Sequence, residues 1–259
     1  MKNQVFKSFV ELTGHPFSSM LLRKFTTSVV SKPLIKPFAS FYHIQTDEAE
    51  YQMTEYNSLN DYFTRSLKTN SRPIDPDPTI LISPVDGVLS CAGVVNDTQE
   101  FLVKDKTYSL SALLGDSSKA VPYQNGYYYV FYLSPRHYHH FHYPISGELI
   151  SRYALGTTSY PVNDLGIRLK KDLFSTNYRL ISEIQSAFGK VAVVKVGALN
   201  VNSIQLADSS KDCIKGDDFG HFAFGSTVIL FIENKHTLTP LHQAFTEVKV
   251  GDRIGVWQS

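Results

Sequence analysis

Residues 221–231 read His-Phe-Ala-Phe-Gly-Ser-Thr-Val-Ile-Leu-Phe, an apolar run rich in aromatic and β-branched side chains that predicts a buried β-strand. Within it, the hydroxyl of Ser226 stands next to the carbonyl of Gly225. Because glycine has no side chain, this carbonyl can be approached closely, and Ser226 could attack it if a base took the hydroxyl proton. A Gly-Ser-Thr sequence in a strand is usually a packing feature, so the reactive interpretation depends on a base and an acid elsewhere in the chain.

Two further segments supply an acid and a cluster of imidazoles. Residues 83–87 read Ser-Pro-Val-Asp-Gly and place Asp86 on a turn between two β-like runs, where its ordinary role is that of a turn residue. Residues 133–144 contain four of the nine histidines of the chain. In an Asp-His-Ser set, the carboxylate fixes the imidazole tautomer and the imidazole takes the proton of the hydroxyl. The chain therefore contains each member of such a set, in three separate segments.

These three segments resemble the signature motifs of the pyruvoyl-dependent phosphatidylserine decarboxylases of the bacterial type, at residues 83–87, 138–144 and 224–228. Further stretches fit the same family in the same order, at residues 60–75, 172–177 and 196–204, so that the resemblance covers roughly residues 55–255. The commonest family form has Asp where this chain has His137, and Arg where it has His140. Neither position is a principal catalytic group of the family, so these departures affect local charge and pH response.

The resemblance implies a role for each candidate residue. Asp86 would orient His142, His142 would activate Ser226, and Ser226 would attack the carbonyl of Gly225, which cleaves the chain between the two residues. The former Ser226 would become a pyruvoyl group, a covalent cofactor that forms a Schiff base with phosphatidylserine and releases CO2 to give phosphatidylethanolamine. His139 matches the family position proposed as the donor of a proton to carbon. The large and small chains of the precursor would stay associated, and a homodimer is expected.

The spacing of the histidines predicts an irregular backbone around them. His139 and His142 are three positions apart, so a regular strand would point them to opposite faces. A helical turn or a bulge would bring them together.

Three other interpretations remain open from the residues themselves. The two His-x-His patterns formed by His137, His139, His140 and His142 could bind a metal ion, but no carboxylate or thiolate at a fitting spacing accompanies them, and no metal is expected. Ser226 could be the nucleophile of a serine-dependent lipid hydrolase, yet no Gly-x-Ser-x-Gly elbow surrounds it. A non-catalytic, membrane-bound β scaffold would leave the chain uncut.

The composition is that of a globular protein. The chain has 259 residues, of which 42% are apolar, enough for one domain, or one domain with an extension. A net charge of +1 argues against nucleic-acid binding driven by bulk charge. The two cysteines, Cys91 and Cys213, form no Cys-x-x-Cys pattern, which favours a reducing compartment without a disulfide framework.

The basic character of the chain is concentrated at its start. Residues 1–41 contain six Lys or Arg residues against Glu11 alone, and residues 5–12 and 17–25 have approximately helical apolar spacing. Two short amphipathic helices could lie on an anionic membrane surface, with their basic side chains near lipid phosphates. The alternative is that they simply pack on the catalytic domain. We expect a peripheral protein on the cytoplasmic side of the cell membrane.

From about residue 80 the pattern changes to short β-like runs punctuated by Gly, Pro and Asp. We therefore predict an α+β fold, with a helical, membrane-associating region at residues 1–70 and a compact, mostly antiparallel β-rich catalytic domain at residues 71–259. A faint internal echo, at residues 84–89 and 144–149, is similar to the half-motifs of barrel-sandwich hybrid folds. Residues 159–177 are expected to form an irregular, mobile loop near the site.

Overall fold

The computed structural model describes residues 16–158, 160, 162, 167, 170, 172–197, 204–207, 210–223 and 226–258. The α-helices among these residues are α1 (Pro16–Thr27), α2 (Ile35–Tyr42), α3 (Leu59–Phe63), α4 (Leu110–Leu114), α5 (Ser117–Ala120) and α6 (Leu173–Thr176). Two 3₁₀ helices span Val29–Leu34 and Val121–Tyr123.

The strands of the first half are β1 (Ile80–Ile82), β2 (Gly87–Val94), β3 (Glu100–Val103), β4 (Lys106–Ser109), β5 (Tyr127–Leu133), β6 (His140–His142) and β7 (Gly147–Leu155). Those of the second half are β8 (Arg179–Ser186), β9 (Gly189–Gly197), β10 (Ile204–Leu206), β11 (Asp212–Cys213), β12 (Asp218–Phe222), β13 (Ser226–Ile232), β14 (Leu238–Pro240), β15 (Thr246–Val248) and β16 (Arg253–Trp257).

An eight-stranded sheet organises the molecule, in the order β11-β7-β8-β9-β13-β5-β2-β15. Every pair of neighbouring strands in it is antiparallel. Two smaller sheets, β1-β16-β14 and β10-β12-β6, and the β3–β4 hairpin complete the β structure that is described. The described strands form no closed barrel, since β11 and β15 end the order without pairing to each other. The predicted α+β class with mostly antiparallel strands is confirmed.

Strand β13 lies in the middle of this sheet and is buried along its whole length. Because side chains alternate along a strand, Val228, Leu230 and Ile232 enter one apolar cluster while Ile229 and Phe231 enter another. Both faces of the sheet are therefore covered at this point. That explains why the sequence of β13 is continuously apolar instead of alternating. The predicted buried strand is confirmed from Ser226 onward, whereas His221 and Phe222 end the separate strand β12 and Ala223 lies in neither strand.

Different elements cover the two faces. The face shared by Val228 packs against Phe141 of β6 and against Phe219 of β12. The other face packs against Phe101 of the β3–β4 hairpin and Leu113 of α4. The small sheet that contains β6 thus covers the face of the large sheet to which Val228 points.

The helical segment before the sheet has an apolar cluster of its own, which includes Phe38, Tyr62 and Phe63. Its helix α3 is capped by Ser58, whose hydroxyl accepts a hydrogen bond from the Asp61 backbone N–H at 3.1 Å. The helix expected near residues 17–25 is present as α1, whereas the one expected at residues 5–12 lies outside the described residues. None of the described helices has both the length and the apolar character that a membrane crossing requires.

The segment expected to be irregular, residues 159–177, is described only in part. Its end forms the short helix α6, and Thr158 makes an isolated bridge to Asn177. Most of residues 159–171 lie outside the described part of the chain.

Candidate active site

The three candidate segments meet at one end of three neighbouring strands. Ser226, the first residue of β13, pairs with Leu133, the last residue of β5. On the other side of β5, strand β2 begins directly after Asp86, and its residue Val88 pairs with Tyr132. The histidine-rich segment leaves β5 at this same end. Sheet topology therefore brings together the segments that lie far apart in the sequence.

Backbone hydrogen bonds tie the histidine-rich segment to both of its neighbours. The N–H of His142 donates to the carbonyl of Pro84 at 2.8 Å, which joins it to the turn that carries Asp86. The N–H of Phe222 donates to the carbonyl of His139 at 2.9 Å, which joins it to the strand that precedes Ser226. The segment thus bridges the acid-bearing turn and β12, the strand that comes before the serine-bearing strand β13.

Ser226 is fully buried, and its hydroxyl has no hydrogen-bond partner among the described residues. By strand alternation it shares the face of Val228, which is the face covered by β6 and β12. A buried hydroxyl without a partner costs free energy, so such a group is rarely present without a function. Gly225, whose carbonyl is the expected target, lies outside the described residues.

The imidazole of His142 is held by a backbone carbonyl. Its Nδ1 lies 2.9 Å from the carbonyl oxygen of Gly216, which can only accept, so Nδ1 carries the proton. Its Nε2 therefore has the lone pair and faces the hydroxyl of Tyr138 at 3.4 Å. Burial lowers the pKa of His142, which favours the neutral form that a base requires.

Asp86 is buried and points to partners other than His142. Its carboxylate accepts two hydrogen bonds from Arg72, from Nε at 2.9 Å and from an Nη at 2.5 Å, and a third from the Val250 N–H at 2.9 Å. The expected hydrogen bond between Asp86 and His142 is absent from the described contacts. The physical reason is that the guanidinium of Arg72 occupies both carboxylate oxygens, while Gly216 already satisfies Nδ1 of His142.

His139 is fully buried against the helical segment, with its ring centroid 3.9 Å from that of Phe63. Its Nδ1 donates to the carbonyl of His137 at 2.9 Å, and its Nε2 has no partner among the described residues. Burial, assisted by the positive charge of Arg65, lowers the pKa of His139 well below its usual value. The structure therefore presents His139 as a neutral imidazole with an unused lone pair.

The backbone around these histidines is irregular, as predicted, but not in the expected place. Residues 134–139 form turns and coil, and β6 itself is regular over its three residues. The register shift lies on the partner strand, between Asp218 and Gly220 of β12. Because Phe141 points into the apolar cluster, alternation directs His142 to the opposite side of β6.

Three consecutive residues at the end of helix α3 contact the histidine-rich segment. The ring of Phe63 packs against that of His139 at an interplanar angle of 39°, the carbonyl of Thr64 lies 3.0 Å from Nε2 of His140, and Arg65 donates to the carbonyl of His137 at 3.5 Å. The helical region therefore helps to position the site. Apart from the resemblance around residues 60–75, no sequence pattern indicates this role.

His140 connects that helical region to β12. Its Nδ1 lies 2.8 Å from the Asp218 carboxylate, while its Nε2 faces the carbonyl of Thr64. Both ring nitrogens face acceptors, an arrangement that only a doubly protonated imidazole satisfies fully. Burial raises the pKa of Asp218, but the hydrogen bond and charge of His140 outweigh that effect and lower it.

A buried asparagine supports the strand position opposite Ser226. Ser226 pairs with Gly197 of β9, whose carbonyl accepts a hydrogen bond from the amide of Asn177 at 3.2 Å. The same amide donates to the carbonyl of Tyr160 at 2.7 Å. Asn177 thus fixes the chain next to the site, a role that could be suspected only from its place in the resembling stretch at residues 172–177.

Within the described residues, no group of three His, Cys, Asp or Glu side chains is arranged to hold a metal ion. The four histidines of residues 137–142 instead face separate partners. Sequence reasoning missed three contacts of the site: the Gly216 carbonyl and the Tyr138 hydroxyl on His142, and the Arg72 guanidinium on Asp86. Of these residues, Tyr138 and Arg72 lie in stretches with a family-like pattern, whereas Gly216 does not.

Comparison with known proteins agrees with the motifs. The family model described as phosphatidylserine decarboxylase matches residues 59–256. The phosphatidylserine decarboxylase proenzyme of Halalkalibacterium halodurans is 45% identical over 258 residues, covering 99% of this chain and 99% of that protein. The proenzyme of Geobacillus kaustophilus is 42% identical over 258 residues, covering 99% of this chain and 98% of that protein.

Among solved structures, a glucose permease IIA from Mycoplasma capricolum matches with a TM-score of 0.34 and 18% identity, over 68% of this chain and 94% of that chain. This likeness is too weak to bear on the fold. The family-model match over most of the chain, together with the high identities over nearly its full length, shows that the chain belongs to the phosphatidylserine decarboxylase family.

Proposed function

We propose that this chain is the precursor of a pyruvoyl-dependent phosphatidylserine decarboxylase, which cleaves itself between Gly225 and Ser226 and then converts phosphatidylserine to phosphatidylethanolamine and CO2. The observation that carries the proposal is the hydroxyl of Ser226, which is buried and unpartnered among the described residues at the first position of β13. Family membership supports it, since the curated relatives are named as proenzymes of this decarboxylase.

Self-cleavage would proceed through an ester. Oγ of Ser226 bonds to the carbonyl carbon of Gly225 while the C–N bond breaks, and a base moves the hydroxyl proton to the released nitrogen. Loss of the α-proton of residue 226 then breaks the Cβ–Oγ bond, and Gly225 leaves as a carboxylate. Water replaces the nitrogen of the remaining enamine, through its imine form, so that ammonia departs and a ketone remains.

We assign the base to His142 and the acid member of the set to Asp86. A neutral imidazole with its proton fixed on Nδ1 has a lone pair available on Nε2. Alternation turns His142 to the side of β6 away from the apolar cluster that Ser226 faces, where its Nε2 meets the Tyr138 hydroxyl. The proton transfer therefore requires both the β6 segment and Tyr138 to move so that Nε2 reaches Ser226. With its oxygens engaged by Arg72, Asp86 would act on His142 through its negative charge and not through a direct hydrogen bond.

The position of Ser226 fits a pyruvoyl group. Such a group supplies an electrophilic ketone that can accept the electron pair released when CO2 departs. Residue 226 is enclosed on a face covered by β6 and β12, which excludes water from the reacting atoms. The pairing of β13 with both β5 and β9 would keep the small chain bound after cleavage.

His139 is assigned to the proton that replaces CO2 on carbon. In the absence of substrate its pKa is depressed, so it does not hold that proton at rest. A negatively charged substrate next to the ring would favour its protonated form. His139 would then bind a proton at the free Nε2 as the substrate enters, and deliver it after CO2 has left.

The remaining assignments concern the setting of the enzyme. We keep the division into a membrane-associating helical region at residues 1–70 and a catalytic region at residues 71–259, with a peripheral location on the cytoplasmic face and a homodimeric assembly. Leu21, Val29 and Val30 are exposed apolar side chains close to Arg23 and Lys32, as a lipid-facing surface requires. A variant lacking residues 1–41 should lose sedimentation with anionic vesicles, and unchanged sedimentation would refute this location of the contact.

The decarboxylase proposal is tested by incubating the purified protein with phosphatidylserine that carries an isotopic label in its carboxyl group. Labelled CO2 should be released, and treatment with phenylhydrazine, which traps ketones, should abolish the release. A serine hydrolase would release fatty acid or head group and would be insensitive to phenylhydrazine. Hydrolysis without CO2 release would refute the proposal.

A further inference from the structure

A cleft of about 370 Å³ opens beside the acid-bearing turn. Asp86 and Tyr138 are on its wall, so it leads toward the candidate active site. Charged side chains of both signs line the rest of it. Its cations are Arg65, Arg72, Arg136 and Lys249, and its carboxylates are Glu48, Asp86, Glu247 and Asp252.

Three of these four cations are already neutralised by carboxylates. Arg72 forms ion pairs with both Glu48 and Asp86. Lys249 pairs with Glu48 at 2.7 Å. Arg136 pairs with the exposed Glu247.

Arg65 is the exception among the described cations of this cleft, since no carboxylate contacts it. It is only 4% exposed, its guanidinium carbon lies 5.3 Å from the Tyr62 ring centroid, and its hydrogen bonds, to the carbonyls of Tyr62, Arg136 and His137, are long at 3.4–3.5 Å. The charge of Asp86 reaches Arg65 without a direct contact. The Nε of Arg65 has no hydrogen-bond partner within the part of the chain that the structure describes. A buried guanidinium without an anion is destabilising, and its unused donors match the geometry of an oxyanion.

A second unused donor lies next to Arg65. Nδ1 of His137 accepts a hydrogen bond from the backbone N–H of Ser134 at 2.9 Å, so the ring proton is on Nε2. Among the described residues this Nε2–H has no hydrogen-bond partner, and the carboxylate oxygen of Glu247 that faces it is 3.8 Å away and paired with Arg136. Burial and the charge of Arg136 lower the pKa of His137 to about 4, which keeps this ring neutral.

We propose that Arg65 and His137 form an oxyanion-binding subsite in this cleft, and that it takes the phosphodiester of the phospholipid substrate. The two residues are neighbours, because Arg65 donates to the carbonyl of His137, and both line one cleft. Each also has a buried donor, Nε of Arg65 and Nε2 of His137, without a hydrogen-bond partner among the described residues. The phosphodiester assignment rests on the proposed decarboxylase function.

A phosphodiester fits this subsite better than the substrate carboxylate does. The carboxylate loses its charge as CO2 departs, so an arginine bound to it would stabilise the starting state more than the transition state. The charge of a phosphodiester is unchanged through the reaction. Binding it anchors the substrate in both states and leaves the reacting carbon free to approach residue 226.

His137 is also the position at which this chain departs from the commonest family form, which has Asp there. An aspartate could still accept the Ser134 N–H, but it would offer no donor to the cleft and would add a negative charge. The variant H137D therefore retains the local turn while removing the proposed function of the ring. It is a sharper test than truncation to Ala.

The direct test is a binding titration of the processed protein with glycerophosphoglycerol, a soluble phosphodiester without amine or carboxylate, followed by ³¹P NMR. We expect the Arg65→Gln and H137D variants to bind it at least tenfold more weakly, as loss of a charge-assisted hydrogen bond implies. Each should raise the KM for dihexanoyl phosphatidylserine by a similar factor, with a smaller change in kcat. Arg253→Gln, which changes an exposed arginine paired with Asp75, is the matched control and should bind within twofold of the parent.

Inorganic phosphate and acetate distinguish the possible anions. Phosphate should compete with the diester, and acetate should bind more weakly than either. Unchanged diester binding in both variants, tighter binding of acetate, or binding of phosphate with rejection of the diester would each overturn the inference. Intact mass and melting temperature report whether a variant has matured and folded, and H137D decides alone if Arg65→Gln does not fold. If the protein releases no CO2, the proposed function fails, yet the titration still decides whether the anion subsite exists.

Discussion

The carbonyl of Gly216 accepts a hydrogen bond from Nδ1 of His142 at 2.9 Å. A backbone group thus fixes the imidazole tautomer, the task that in an Asp-His-Ser set belongs to the carboxylate. Asp86 is left with a different task, because Arg72 and the Val250 N–H occupy its oxygens. The acid-bearing turn and the imidazole are joined instead through the backbone, from His142 to Pro84.

Asp86 should therefore matter for stability as well as for processing. In an uncut Ser226→Ala background, Asp86→Ala should lower the free energy of unfolding in urea by about 3–5 kcal/mol, because it leaves the buried Arg72 without its main partner. Glu48→Gln removes the more exposed partner of Arg72 and should cost about 1 kcal/mol or less. Equal losses for the two variants would contradict the structural role given to Asp86.

How far the sequence predicts this molecule can be seen from β13 and from His142. The apolar run around Ser226 predicts a buried strand because burial on both faces leaves a local record in the sequence. The partners of His142 leave no such record, since Gly216 lies 74 positions away and contributes only a backbone carbonyl, which every residue has. The pairing of Arg72 with Asp86 could not be predicted either, because it depends on how the segment between α3 and β1 packs on the sheet.

The Tyr138 hydroxyl faces the lone pair of His142, and this contact should be dispensable. Tyr138→Phe should cleave at least as fast as the parent, because it frees Nε2 of His142. His142→Ala should slow cleavage by at least about a hundredfold, the usual contribution of a positioned base. Cleavage can be followed on a gel after synthesis in a cell-free system. Normal cleavage in His142→Ala would mean that another group is the base. His139, whose Nε2 has no partner among the described residues, would then be the next candidate.

His139 should separate the two reactions. His139→Ala is expected to yield two chains with a phenylhydrazine-reactive small chain, yet to lose most CO2 release because no group supplies the proton to carbon. The matched control is His221→Ala, which changes another histidine whose pKa is lowered by burial, on β12. Turnover that is normal in a fully matured His139→Ala protein would remove the role assigned to His139.

The stability of the fold should fall in mild acid, in part through His137. Its pKa is about 4 in the folded chain, against an ordinary value of 6.5, so between these pH values the unfolded chain binds the extra proton and the folded chain does not. Stability contributed by the neutral ring is complete above about pH 6.5 and declines toward pH 4, by up to roughly 3 kcal/mol. Other buried histidines act in the same direction, so the test compares the loss of stability in the parent with the loss in a variant that lacks His137. Comparing urea unfolding at pH 5 and pH 7, His137→Gln should show a smaller loss than the parent, and an equal loss would contradict the effect.

Intact-mass spectrometry of the purified protein, measured beside its Ser226→Ala variant, tests self-cleavage most directly. The parent should appear as two chains, residues 1–225 and a chain from residue 226 to residue 259 whose first residue has lost its nitrogen to become a pyruvoyl group. The variant should appear as a single uncut chain that releases no CO2. A fully active parent with the Gly225–Ser226 bond intact, or a variant that is still cut at this bond, would contradict the role of Ser226.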